Sequence, residues 1–204
     1  MTVLAVDAWK SNAHLIADVA ALGYLRDDWL TLDSTYGRGA FWTLYRPHRL
    51  VSGDMSKGQP DVRFDYRHLP FADCTFDAVV YDPPFKLNGT SSKTSDVDER
   101  YGVEEADTRE NRLASILSGA EDNIRVTKHK GMFLVKCQNQ VNGGKVRWQT
   151  DMLTALAYDL GCEKVDEFHA LNYRPQPEGR SQQHARRNYS TLMVFRKTSA
   201  MKRV

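Results

Sequence analysis

FDAVVYDPPF, residues 76–85, is the stretch on which the architecture turns. Aromatic and β-branched residues crowd its first six positions, the composition of a buried strand. Asp82 ends the apolar run, and Pro83 and Pro84 then forbid any further ladder, because neither has an N–H to donate. The segment therefore reads as a central strand stopped hard at a carboxylate. In open α/β sheets ligands gather at the carboxyl ends of the strands, so the acid stands where chemistry is expected.

Outward from this strand, apolar segments of similar length recur at residues 29–33, 49–52, 62–65, 131–137, 165–171 and 190–197. Helical spacing separates several of them. Residues from Asn12 to a stop at Gly23 carry Leu15, Ile16, Val19 and Leu22 on one stripe, and residues 104–127 and 148–160 show the same period. Residues 40–45 predict the opening of a helix closed by Pro47. Alternation of this kind predicts an α/β fold with a mostly parallel sheet and helices on both faces. The last two strands have no helix between them and predict an antiparallel pair at the C-terminal end. The short connections around residues 53–75 imply abbreviated crossovers.

Composition sets the outer limits. A chain of 204 residues, 41% hydrophobic and 26% charged, suits one domain with a proper core. We read 1–204 as a single unit, with an N-terminal helical segment at 1–28, a mobile polar loop at 86–103 and a basic loop at 172–189. Charges interrupt every apolar run, which excludes a helical membrane span. The first residues lack a basic leader and carry Asp7 within their apolar part, so no secretory signal is expected. Cys74, Cys137 and Cys162 show neither disulfide parity nor metal-ligand spacing, and the histidines show none either. The expectation is a cytoplasmic protein with no membrane partner and no metal.

The formal net charge of +2 hides an asymmetry. Residues 1–122 hold 13 basic and 20 acidic side chains, while residues 123–204 hold 15 basic and 6 acidic. A basic half joined to an acidic half suits a polyanionic partner on one side, and equally a dipolar surface with no ligand.

Two rim elements carry the chemistry. Asp33-Ser-Thr-Tyr-Gly37-Arg-Gly39 follows the first strand directly, and glycines there let the backbone approach a nucleotide-like ligand. A Gly-Lys-Ser/Thr signature is absent, which leaves a P-loop nucleotidase unsupported. Asp82-Pro83-Pro84-Phe85 is the second element. It offers a carboxylate and main-chain carbonyls without donors, a set of acceptors that suits an exocyclic amine, with Phe85 as a flat stacking face. Accepting both amine protons would free the nitrogen lone pair from conjugation with its ring. Tyr36 and Trp42 read as packing residues.

These two elements together resemble the class I S-adenosylmethionine-dependent methyltransferases, and within them the amino-methyltransferases of DNA adenine N6 or cytosine N4. Asp33 to Gly39 is similar to their cofactor turn, and the DPPF tetrapeptide to their catalytic motif; Asp at its first position leans towards adenine. The resemblance runs from about Trp29 to Lys197. It implies a Rossmann-like class I methyltransferase sheet and S-adenosyl-L-methionine as cofactor. It implies, too, Asp33, Gly37 and Gly39 at the methionine part, Asp54 at the ribose, and Asp65 with Tyr66 at the cofactor's adenine. Asp54 lies in a Ser-Gly-Asp context, displaced from the strand tip where the family usually keeps its acid.

The implied function is methyl transfer to a base amine, with DNA adenine first. RNA adenine, DNA cytosine N4 and a nucleic-acid-binding protein without catalysis stand as alternatives. A glutamine-methylating enzyme is disfavoured, because those resemble this motif with Asn in place of Asp82. Nucleic-acid contacts are expected from Lys136, Arg174, Arg180, Arg186 and Arg187, and a duplex target would need its base flipped out.

Overall fold

The computed structural model describes residues 9–55, 59–87, 109–142, 144–171, 183–185 and 187–198. Its frame is a six-stranded sheet. In chain order the strands are β1 (Leu30–Asp33), β2 (Arg49–Ser52), β3 (Phe76–Tyr81), β4 (Thr127–Cys137), β7 (Cys162–Leu171) and β8 (Tyr189–Lys197). They lie side by side as β2-β1-β3-β4-β8-β7. The first four are parallel, and β8 runs antiparallel to both β4 and β7. The helices are α1 (Asn12–Ala21), α2 (Arg109–Val126) and α3 (Gln149–Asp159). A short hairpin, β5 (Gln140–Asn142) with β6 (Lys145–Arg147), stands apart from the main sheet.

Strand alternation distributes the core to both faces. Ala78, Val80, Met132, Leu134, Leu192 and Val194 join Leu15, Ile16 and Val19 of α1 on one side. Val79, Tyr81, Phe133, Val135, Met193 and Phe195 meet Ile116, Ala120 and Ile124 of α2, with Leu153 and Ala157 of α3, on the other. These strands are apolar on both faces because helices cover both, as parallel sheets require.

The expected mostly parallel α/β sheet, with helices on both faces and its antiparallel C-terminal pair, is what the chain adopts. Four local readings need correction. Residues 62–65 form no strand; they contribute one parallel bridge, Val62 with Gly53. The cause lies next door, where Asp61 Oδ2 accepts the Ser52 N–H at 2.8 Å and the Ser52 hydroxyl at 2.7 Å. A side chain has taken a place in the ladder that backbone would fill. Residues 40–45 give only a 3-10 turn, Ala40–Trp42, entered through Gly39 at φ +72°. The strand expected at 131–137 begins at Thr127, immediately after α2, and passes through Lys130 at φ +62°. Strand β7 likewise starts three residues early, at Cys162. The loops at 86–103 and 172–189 lie mostly outside the described residues.

Among the described residues no helix is long and apolar enough to cross a membrane. Nor does any group of three or more His, Cys, Asp or Glu there stand ready to hold a metal ion.

Candidate active site

Register brings the site together. Asp33 lies beside Ser52 on one flank and Val80 on the other, and Tyr81 lies beside Val135. The residues that follow these pairs, Gly53, Asp82 and Lys136, therefore share the carboxyl edge of the sheet with the turn after Asp33.

Asp33 is 3% exposed, and the chain itself holds both its oxygens. Thr35 N–H donates to Oδ1 at 3.0 Å and the Trp42 indole N–H donates to Oδ2 at 2.6 Å. Burial still dominates and pushes the carboxyl up to about 7; the two donors pull it down, and the nearby acids Asp82 and Asp54 add to the rise. The glycine turn is built around this acid. Gly37 and Gly39 sit at φ +55° and +72°, in the left-handed region where a side chain is strained. At Gly39 a Cβ would also come within 2.5 Å of the Tyr36 hydroxyl oxygen.

Asp54 lies two residues beyond the tip of β2, yet it reaches the turn. Its Oδ2 accepts the Gly37 N–H at 2.6 Å, while Tyr36 N–H donates to the Gly53 carbonyl at 3.0 Å. Turn and second-strand tip are thus one hydrogen-bonded unit. Asp65 is held in a fork by Arg67, with Nε 3.0 Å from Oδ1 and Nη2 2.6 Å from Oδ2. Its carboxyl lies below the usual range because the Arg67 bonds and charge outweigh the opposing effect of burial. The Tyr66 ring packs against Tyr81 at 5.4 Å between centroids.

The DPPF segment is tied down at both ends. Asp82 N–H donates to the Thr35 hydroxyl at 2.8 Å, which joins the catalytic-motif candidate to the glycine turn. The Phe85 carbonyl accepts two side-chain amides, from Gln140 at 2.5 Å and from Gln149 at 2.9 Å. Gln140 also accepts the Leu87 N–H at 3.1 Å, pairing with the backbone as another strand would. Between these clamps the Asp82 side chain is 23% exposed, and its Oδ1 is buried with no hydrogen-bond partner. Burial raises its carboxyl, and the Lys136 ammonium at 3.7 Å pulls the other way.

Lys136 was expected to contact nucleic acid; it is 5% exposed and stands inside this site beside Asp82. The Arg187 guanidinium lies over the Trp148 ring at 4.9 Å. Arg174, Arg180 and Arg186 lie outside the described residues. Sequence reasoning missed Thr35, Phe41, Gln140 and Gln149. Thr35, inside the glycine turn, and Phe41, just after it, carried a local signal; the glutamines reach the site through a hairpin and a helix start.

No protein-family model and no curated protein sequence matches the chain. Solved structures do share its fold. A SAM-dependent methyltransferase from Methanosarcina mazei superposes with TM-score 0.54 over 95% of this chain and 99% of its own, at 11% identity. The N-methyltransferase NodS from Bradyrhizobium japonicum WM9 gives TM-score 0.52 over 92% and 94%, at 12% identity. The 1,6-didemethyltoxoflavin-N1-methyltransferase of Burkholderia thailandensis, solved with its substrate and S-adenosylhomocysteine, gives 0.52 over 92% and 77%, at 14% identity. The fold is that of class I S-adenosylmethionine-dependent methyltransferases.

Proposed function

We propose that the protein transfers a methyl group from S-adenosyl-L-methionine to the exocyclic amine of a nucleic-acid base, adenine N6 in DNA before the alternatives. The observation that carries this reading is Asp82 Oδ1, a buried carboxylate oxygen left without a hydrogen-bond partner at the tip of β3. Beside it the main chain is stiffened by two prolines, and Thr35 links it to the glycine turn.

The donor set also suits the cofactor. A cluster of three acids, Asp33, Asp54 and Asp82, favours a cationic ligand, and burial strains both Asp33 and Asp82 in their charged forms. Bound S-adenosylmethionine supplies an electrophilic methyl group on a sulfonium. Asp33, Gly37 and Gly39 would line its methionine end and Asp54 its ribose, with the backbone of Asp65 and Tyr66 towards its adenine. Asp82 and a proline carbonyl accept the two protons of the target amine, which turns its lone pair out of the ring system. Phe85 stacks on the base, and its clamped carbonyl fixes where that ring stands. Holding amine and methyl donor in line supplies most of the rate. A duplex target presents its base flipped out, with Arg174, Arg180, Arg186 and Arg187 on the flanking phosphates.

The test is transfer of labelled methyl to DNA and to RNA, with both digested to nucleosides. Label is expected on N6-methyldeoxyadenosine; label on N6-methyladenosine or N4-methylcytosine selects an alternative base. Replacing Asp82 by Ala should lower transfer ~1000-fold or more, on the scale of removing one group that stabilises a transition state. Cofactor affinity should stay within a few fold. An Asp82→Ala protein that still turns over removes the proposal.

A further inference from the structure

The chemistry proposed above leaves one charged group of the site without a task. On parallel strands with Tyr81 opposite Val135, Asp82 and Lys136 stand directly opposite each other one step further on. Both continue the row of Ala78, Val80, Met132 and Leu134, so both side chains leave the sheet on the α1 face. There the Lys136 ammonium lies between two aromatic faces, 5.7 Å from the Phe41 centroid and 5.4 Å from that of Phe85.

At 3.7 Å the ammonium and Asp82 Oδ1 attract but do not hydrogen-bond. Asp82 Oδ1 has this ion pair and no hydrogen-bond partner. A lysine side chain only 7% exposed, set beside a buried carboxylate oxygen with no hydrogen-bond partner, is costly unless a ligand completes the pair. What they present is a donor and an acceptor side by side, bordered by flat rings.

The complement of that pair is an aromatic ring bearing an amine next to a ring nitrogen. Adenine offers this arrangement on either edge, with N7 or with N1 beside the amine, and cytosine offers it with N3. Thymine has no amine and would place a carbonyl oxygen against the Asp82 carboxylate; guanine does so with its O6 edge, and only its N2 amine beside N3 offers the same pair. The geometry points to Lys136 as the residue that reads the ring nitrogen beside the target amine, so that Asp82 and Lys136 recognise the base as a pair. This inference rests on the base-amine reading and specifies how its substrate is chosen. It moves Lys136 from the phosphate contacts to the base.

The experiment uses DNA oligonucleotides carrying the target as adenine, 1-deazaadenine or 7-deazaadenine, with labelled S-adenosylmethionine in single turnover. If the labelled product is N4-methylcytosine, 3-deazacytosine takes their place. Wild-type transfer should fall roughly 10- to 100-fold on the analogue that lacks the contacted nitrogen, the worth of one charge-assisted hydrogen bond. The other deazaadenine should react like adenine. Lys136→Met should fall by a similar factor on adenine and suffer no further loss on the sensitive analogue. Equal wild-type rates on all substrates, or a deaza penalty that survives Lys136→Met, overturn the role of Lys136 while methylated adenine keeps the base-amine reading intact. No transfer to any base by the wild type removes both. The wild-type comparison needs no variant, so equal rates overturn the inference even if Lys136→Met does not fold, and Lys136→Arg, which keeps the charge, then serves as the second variant.

Discussion

Lys197 takes a full charge into the interior, and the way it is met shows how closely single side chains hold this sheet. Its ammonium donates to the carbonyls of Ile124 and Thr127, both at 2.8 Å, and of Arg125 at 3.2 Å. Ile124 and Arg125 lie in the last turn of α2 and Thr127 opens β4 directly after it, at a helix end whose dipole favours a cation. Lys197→Met would keep the stem and take this donor from the Ile124 and Thr127 carbonyls, while the Arg125 carbonyl keeps the Cys74 N–H at 3.1 Å. The expected loss is about 3 kcal/mol, or roughly 10 °C in melting temperature. Thermal unfolding followed by circular dichroism measures it; a loss below 1 °C would mean that water replaces the ammonium. Neither this lysine nor Lys136 announced its role in the sequence. Val-Lys-Cys suggested a nucleic-acid contact for Lys136 and Phe-Arg-Lys gave no sign that Lys197 turns inward, because their partners lie on other elements. Asp82 was legible because two prolines next to a carboxylate leave few other uses for the segment.

Elements were legible in proportion to how much of their own stabilisation they carry. Strand β3 has an apolar run and a proline stop, and α2 has five apolar residues at helical spacing; both were found. Residues 62–65 have the composition of a strand, but Asp61 diverts the ladder by bonding Ser52. The β5–β6 hairpin has three residues on each side, too few for periodicity to register, although NGG at 142–144 is a turn signal. That hairpin matters most to the site, since Gln140 pairs with both the Phe85 carbonyl and the Leu87 N–H. Gln140→Ala should leave the fold in place and free the segment after the prolines. Displacement of a reacting group by about 1 Å can cost ~100-fold in rate. We therefore expect kcat to fall on that scale while cofactor affinity changes by less than a few fold. Steady-state kinetics with cofactor calorimetry distinguishes this from a binding defect, which would appear in KM and Kd.

At the scale of the whole molecule, the strand order sets the electrostatics of the site. Placing β1 between β2 and β3 brings the acids after all three to one edge, and the neighbouring strand β4 supplies Lys136. The groups that face this edge are Asp33, Asp54 and Asp82, the Lys136 ammonium, and the Cys137 thiol, which burial pushes up to about 12 and keeps neutral. Asp33, pushed up to about 7, holds a proton across much of the range from pH 4 to 7 that an unfolded chain would have released. Its raised value therefore means that the ligand-free protein loses stability as pH rises through that window and regains it as pH falls. A cation bound at the edge reverses the preference, because it favours the ionised acid and expels the proton. S-adenosylmethionine carries a sulfonium and S-adenosylhomocysteine a neutral thioether, while their remaining ionisable groups are the same. The ratio of their affinities should consequently shift towards S-adenosylmethionine as pH rises from about 5 to about 7, then level off. Calorimetry in buffers of different ionisation enthalpy should record proton release with the sulfonium compound at pH 6 and much less with the thioether. A pH-independent ratio would mean that the acids are already ionised in the free protein, or that the methyl donor does not bind against them. In Asp33→Asn the shift should shrink to what Asp82 alone supplies; if the wild-type ratio is flat, an Asp33→Asn ratio lowered at every pH identifies an already ionised acid facing the sulfonium, and an unchanged ratio a methyl donor bound elsewhere.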